Sequence, residues 1–100
     1  MIYQFRQWVI QDHMMRSLRL YIDHGIPVGH FLTAVLENDL FEACGRADDD
    51  NINNLPAFVA FLYNEVTPQC YGSREKVRAW LKMHEARREA EEAAKPEAEA

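Results

Sequence analysis

The sequence predicts an all-α fold: a compact bundle of about four helices with a short N-terminal segment and a charged, partly disordered C-terminal tail. Three observations carry this. Apolar residues recur at three- and four-residue spacings from Met14 to His84, the period of helices with one buried face. Residues that start or stop helices fall between those runs, at Gly25-Ile26-Pro27, Gly45, Asp48 to Asn51, Thr67-Pro68 and Gly72-Ser73. The hydrophobic fraction, 48% of 100 residues, suffices for one core without disulfide or metal staples.

The first ten residues read as a short helix on Ile2, Phe5, Trp8 and Val9, although Tyr3, Phe5 and Ile10 also fit an extended strand. Met14, Leu18, Tyr21 and Ile22 then mark a first main helix, with Asp12 as its N-cap and Gly25 as its left-handed stop. Pro27 suits the first turn of a second helix, from about Val28 to Cys44, which Gly45 ends. The run from Asp48 to Asn51 caps a third, from Ile52 to Val66, with Pro56 in its first turn and a stripe of Ile52, Leu55, Val59, Leu62 and Val66. Ser73 caps a fourth, whose inner face is Val77, Trp80, Leu81 and His84. From Glu85 the chain is alanine and charge, a helix former with nothing to bury, expected to fray near Lys95-Pro96. The expected organisation is a helical domain over residues 1–84 and a charged extension over 85–100.

Two helices show more than one apolar side. The second has Leu32, Val35, Leu36 and Ala43 on one face, with Asp39 near its middle, and Leu40, Phe41 and Cys44 around the rest. A helix apolar nearly all round is a buried one, so Asp39 is expected inside, capping a neighbouring helix or paired with Arg16, Arg19 or Arg46. The alternative makes it a polar anchor of a binding cleft, with Glu37 and Glu42 beside it. On the third helix, Ala57, Ala60, Phe61 and Asn64 lie opposite the stripe. Either the N-terminal segment covers this patch through Phe5 and Trp8, or Phe61 and Asn64 belong to a protein-binding or self-association surface. The candidate partner-binding residues are therefore Glu37, Asp39, Glu42, Phe61 and Asn64.

Chemistry finds little support. The net charge is −5, which gives no long-range attraction to phosphate and disfavours nucleic acid and anionic membranes. No apolar run approaches a membrane span, and the first ten residues, interrupted by Arg6, do not read as a secretory signal. Cys44 and Cys70 stand in no paired pattern and are expected as free thiols in a reducing compartment. Counted from Asp48, the sixth position of a calcium loop is Asn53 and the twelfth Val59, so the pattern fails. His13, His24, His30 and His84 lack zinc-ligand spacing, Ser73 lacks a nucleophile-elbow sequence, and Gly25 to Gly29 lacks the lysine of a phosphate loop. A helix-turn-helix reading founders on Glu37, Asp39 and Glu42, which offer carboxylates where bases and phosphates need cations. No enzyme, metal or cofactor is expected.

The stretches Leu18-Arg19-Leu20-Tyr21-Ile22, Gly25-Ile26-Pro27, Phe31-Leu32, Ala34-Val35-Leu36 and Asn38-Asp39-Leu40 occur in series. They are followed by Leu62-Tyr63-Asn64 and by Tyr71-Gly72-Ser73-Arg74-Glu75-Lys76-Val77 with Trp80. This order resembles a group of small uncharacterised proteins encoded by tailed bacteriophages and prophages, over roughly residues 14 to 84; its members more often show tryptophan at the position of Tyr71. The resemblance implies a product acting in the cytoplasm of the bacterial host and carries over no catalytic residue. The expected function is non-enzymatic: binding and modulating a host or phage protein, in its sharpest form as an inhibitor of a defence system such as CRISPR. A nucleic-acid-binding transcriptional regulator and a small-molecule-binding oligomer are the alternatives.

Overall fold

The computed structural model describes residues 1–94, and the disorder expected beyond Lys95-Pro96 lies outside them. The fold is mostly helical but not all-α, because the first ten residues form a hairpin where a short helix was expected. Strands β1 (Tyr3–Phe5) and β2 (Trp8–Ile10) pair antiparallel, Tyr3 opposite Ile10 and Phe5 opposite Trp8. Arg6, at the turn, takes a left-handed backbone with φ 55°. Side chains alternate across a strand, so Tyr3, Phe5, Trp8 and Ile10 share one face. Two strands alone are marginal in water; this pair is held because that face lies on a helix of the body.

Helix α1 (Asp12–His24) buries Met15, Leu18 and Tyr21 and ends at Gly25, whose φ of 63° lets its N–H reach the Leu20 and Tyr21 carbonyls. Asp12 is its first helical residue and Gln11 its N-cap. The expected second helix is two. Helix α2 (His30–Leu36) starts after Gly29, leaving Pro27 outside its first turn, and α3 (Leu40–Arg46) follows after a break, running past Gly45. The break is built from Asn38, left-handed at φ 62°, with the Asp39 N–H donating to the Ala34 carbonyl at 2.9 Å and that of Asn38 to Val35 at 3.1 Å. Asparagine tolerates that conformation better than other side chains.

The third expected helix is also divided. Asp48 caps α4 (Asp49–Asn53), its carboxylate accepting the Asn51 N–H at 2.8 Å, and α5 (Leu55–Glu65) follows with Pro56 in its first turn. The interruption at Asn54 rotates the stripe out of register. Ile52 and Val59 are exposed, and the face that enters the core is Ala57, Phe58, Ala60, Phe61 and Leu62. A 3-10 turn (Pro68–Cys70) leads to α6 (Arg74–Ala94), where Ser73 Oγ accepts the Lys76 N–H at 3.1 Å, the expected cap.

The hairpin rests on α5: the Tyr3 ring meets Phe61 edge-on at 5.1 Å, and the Val9 N–H donates to Asn54 Oδ1 at 2.8 Å. Tyr21 sits at the centre of the core, its hydroxyl donating to the Cys70 carbonyl at 2.7 Å. On the other side α6 closes against the end of α1. His84 is buried there, and a Cβ on Gly25 would stand 2.3 Å from the His84 Cβ. Trp80 Nε1 donates to the Tyr21 carbonyl at 2.9 Å, and Arg88 Nη1 to that of His24 at 2.6 Å. The Tyr21 carbonyl thereby accepts a second bond beside that from the Gly25 N–H, and the His24 carbonyl at the helix end gains a partner. Arg88 belongs to the extension after residue 84, so its base is tied to the body.

Candidate functional site

The break at Asn38 determines which surface stays open. It turns α3 away from the axis of α2, so two of the apolar sides read on one helix no longer fold into the same interior. Ala43 is buried, but Leu40 is 61% and Phe41 88% exposed. Across from them on α5, Val59 is 57% and Tyr63 80% exposed, one turn apart on the same face. Between the two helices runs a shallow groove with Val35, Ala43 and Leu55 in its lining. Two further depressions adjoin it through Asn38. One, on the α5 side, reaches Tyr63 and Tyr71; the other, on the α3 side, reaches Phe41 and Arg74. Single exposed apolar residues mean little, but a contiguous strip of four large ones around a groove is characteristic of an interaction surface.

Asp39 lines this groove, but not as a buried carboxylate on a helix face. It is half-buried at the N-terminus of α3 and its Oδ1 accepts the Glu42 N–H at 3.2 Å. Of the two structural roles expected, the pairing with an arginine is not found and the helix cap is, although the helix it caps is the one it starts and the carboxylate is not in the interior. Glu42, exposed, pairs with Arg46 one turn on at 3.2 Å. Glu37, at the end of α2, is mostly buried and faces Arg74 at 3.7 Å, tying α2 to the start of α6. Phe61 is corrected as a partner-binding candidate. It is 1% exposed, under Tyr3, with the Arg19 guanidinium 5.3 Å from its ring centre. It is a core residue covered by the N-terminal segment, as one of the two readings expected: Tyr3 meets its ring, and Phe5 and Trp8 pack with Tyr3 against the same core. Asn64 is exposed on α5 and does not line the groove. Three of the five candidates therefore gather at the α2–α3 junction.

The charge is unevenly placed. Seven carboxylates and one arginine lie between Glu37 and Glu65, a net of −6. The whole chain carries −5, so everything outside that segment sums to +1. That segment supplies α3 and α5; the groove itself is also lined by Ala34 and Val35 of α2, and its one charged lining residue is Asp39.

Buried titratable groups elsewhere are shifted towards their uncharged forms. Burial, then the neighbouring Cys70 and Glu37, hold the Tyr21 phenol protonated far above its ordinary range, which makes it a hydrogen-bond donor. Burial likewise pushes the Cys70 thiol up, away from the thiolate that nucleophilic chemistry requires. His84 is driven the other way, towards its neutral form, by burial and then by Arg87, Arg88 and His24. Among the described residues no three histidine, cysteine or carboxylate side chains are grouped to hold a metal ion, and no helix is long and apolar enough to cross a membrane. Cys44 and Cys70 are free.

Sequence reasoning missed Leu40, Phe41, Val59 and Tyr63 as surface residues. The signal was present: Asn38 is a helix stop, and Asp39 followed three residues on by Glu42 is a helix start. No family model, curated protein or solved structure matches this chain.

Proposed function

We propose that this chain works by binding another protein through the groove between α3 and α5, and not by catalysis. The observation that carries the reading is that Leu40, Phe41, Val59 and Tyr63 are exposed around one groove and the two depressions that adjoin it. Phe41 and Tyr63, at the two ends of this strip, are of the aromatic type enriched in protein interfaces. The concentration of carboxylates around it disfavours nucleic acid as the direct ligand. The setting we propose rests on the resemblance of the motif series to phage and prophage proteins: a phage product in the bacterial cytoplasm that occupies a host or phage protein. Its sharpest form is an inhibitor of a defence system such as CRISPR, with carboxylates filling a site meant for nucleic acid.

The test is comparative. Tagged parent protein and Phe41→Asp, which leaves the core untouched, are expressed in a host with active CRISPR interference and recovered with whatever they retain. The expected result is one host protein held by the parent and lost with Phe41→Asp, together with protection of a targeted plasmid by the parent alone. Equal retention by both forms refutes the groove as the site. A groove-dependent partner without plasmid protection refutes the CRISPR form and leaves the binding reading standing.

A further inference from the structure

The charge and the walls of the groove narrow the kind of partner it fits, on the understanding that it is a protein-binding surface. Its walls are helices, whose backbone hydrogen bonds are made internally, so an extended strand has no free edge there to pair with. What the groove offers is side-chain packing along a trough, the mode that accepts a helix presenting apolar groups at three- and four-residue spacing. Leu40 and Val59 flank the trough, with Phe41 on the α3 side and Tyr63 on the α5 side.

The second observation is electrostatic. The segment that supplies α3 and α5 carries −6 while the remainder of the chain carries +1. Within it, Asp39, Asp48, Asp49, Asp50 and Glu65 have no ion-pair partner among the described residues, and only Glu37 and Glu42 face an arginine. A second acidic copy of this chain would bring like charges together across such an interface, which disfavours self-association here. We infer that the occupant is a basic amphipathic helix of a partner protein, its apolar ridge seated between α3 and α5 and its flanking lysine or arginine residues facing Asp39, Glu42 and their neighbours.

The probe is a displayed library of random peptides of about sixteen residues, long enough for roughly four helical turns. It is selected on the parent protein and counter-tested on Phe41→Asp and on the double variant Asp39→Asn/Glu42→Gln, with circular dichroism to show that both variants fold. The expected winners carry net positive charge with apolar residues at helical spacing. Their binding weakens about tenfold or more on Phe41→Asp, as for an aromatic anchor, and it weakens on the charge-neutralised variant and at high salt. Winners that need Phe41 but are acidic, uncharged or without helical spacing overturn the basic helix and leave the binding surface intact. Winners indifferent to Phe41→Asp overturn the surface itself, and failure to enrich any sequence counts against the basic helix. A parent protein that sediments as a dimer and is made monomeric by Phe41→Asp also overturns the proposal, the groove then belonging to a second copy.

Discussion

The two long sides of this molecule use the same kinds of residue to opposite ends. Along the seam between α1 and α6, Trp80, Tyr21 and His84 are drawn together by a glycine without a side chain and by hydrogen bonds to the end of α1. Along the groove between α3 and α5, Phe41 and Tyr63 are as large and stand in solvent. Aromatic content does not separate the two; backbone geometry does. Where Gly25 turns the chain, α6 can approach to contact distance. Where Asn38 turns it, α3 packs against α2 and buries Ala43, but Leu40 and Phe41 are left uncovered.

The contrast is broken most severely at the seam. Gly25→Ala forces a β-carbon into His84 on a left-handed backbone, combining conformational strain with overpacking, and should cost about 2–5 kcal/mol. Denaturant melts check it, and an unchanged midpoint means α6 does not pack against Gly25 as described. Tyr21→Phe keeps the ring but orphans the buried Cys70 carbonyl, for an expected loss of about 1–3 kcal/mol.

A subtler break uses pH. His84 has a folded-state pKa below its ordinary 6.5, through burial and then the cations Arg87, Arg88 and His24. Its Nε2 has no hydrogen-bond partner. The unfolded chain therefore binds the proton more readily, so the stability held above about pH 6.5 falls as pH drops towards the folded pKa. His84→Leu should flatten the stability profile between about pH 7 and 5 relative to the parent; an equally steep profile in the variant assigns the slope to other groups. The groove side should scarcely respond. Phe41→Ala and Asp39→Asn should each stay within about 0.5 kcal/mol of the parent, the first because nothing is emptied and the second because asparagine caps a helix as well as aspartate does. A melting loss several times larger at either position would place that side chain inside the fold.

Much of the frame was legible in the chain. Gly25, Asp48 and Ser73 punctuate helices where their chemistry says they should, and Val77, Trp80, Leu81 and His84 face inward as their spacing requires. What misled was continuity. An apolar wheel over residues 28–44 outweighed the stop at Asn38 and the start at Asp39, so Leu40 and Phe41 were read as interior. The stripe through Ile52 and Val59 likewise assumed one helix where Asn54 makes two. The hairpin was weakly signalled because its turn is Arg6-Gln7, without the glycine, asparagine or aspartate that hairpin turns favour. The groove could not be read at all, since it exists only once α3 has left the line of α2 and come to lie beside α5.

The hairpin also sets a timetable. Val9 of the hairpin donates to Asn54, 45 residues later in the chain. At synthesis rates of about 5–20 residues per second, that interval lasts roughly 2–9 s. For that long Tyr3, Phe5, Trp8 and Ile10 have left the ribosome with no α5 to lie on, in a hairpin too short to persist alone. A segment made before α5 is thus kept waiting for it, and a ribosome stalled before α5 is complete holds out uncovered aromatic side chains to whatever chaperone or protease is nearest.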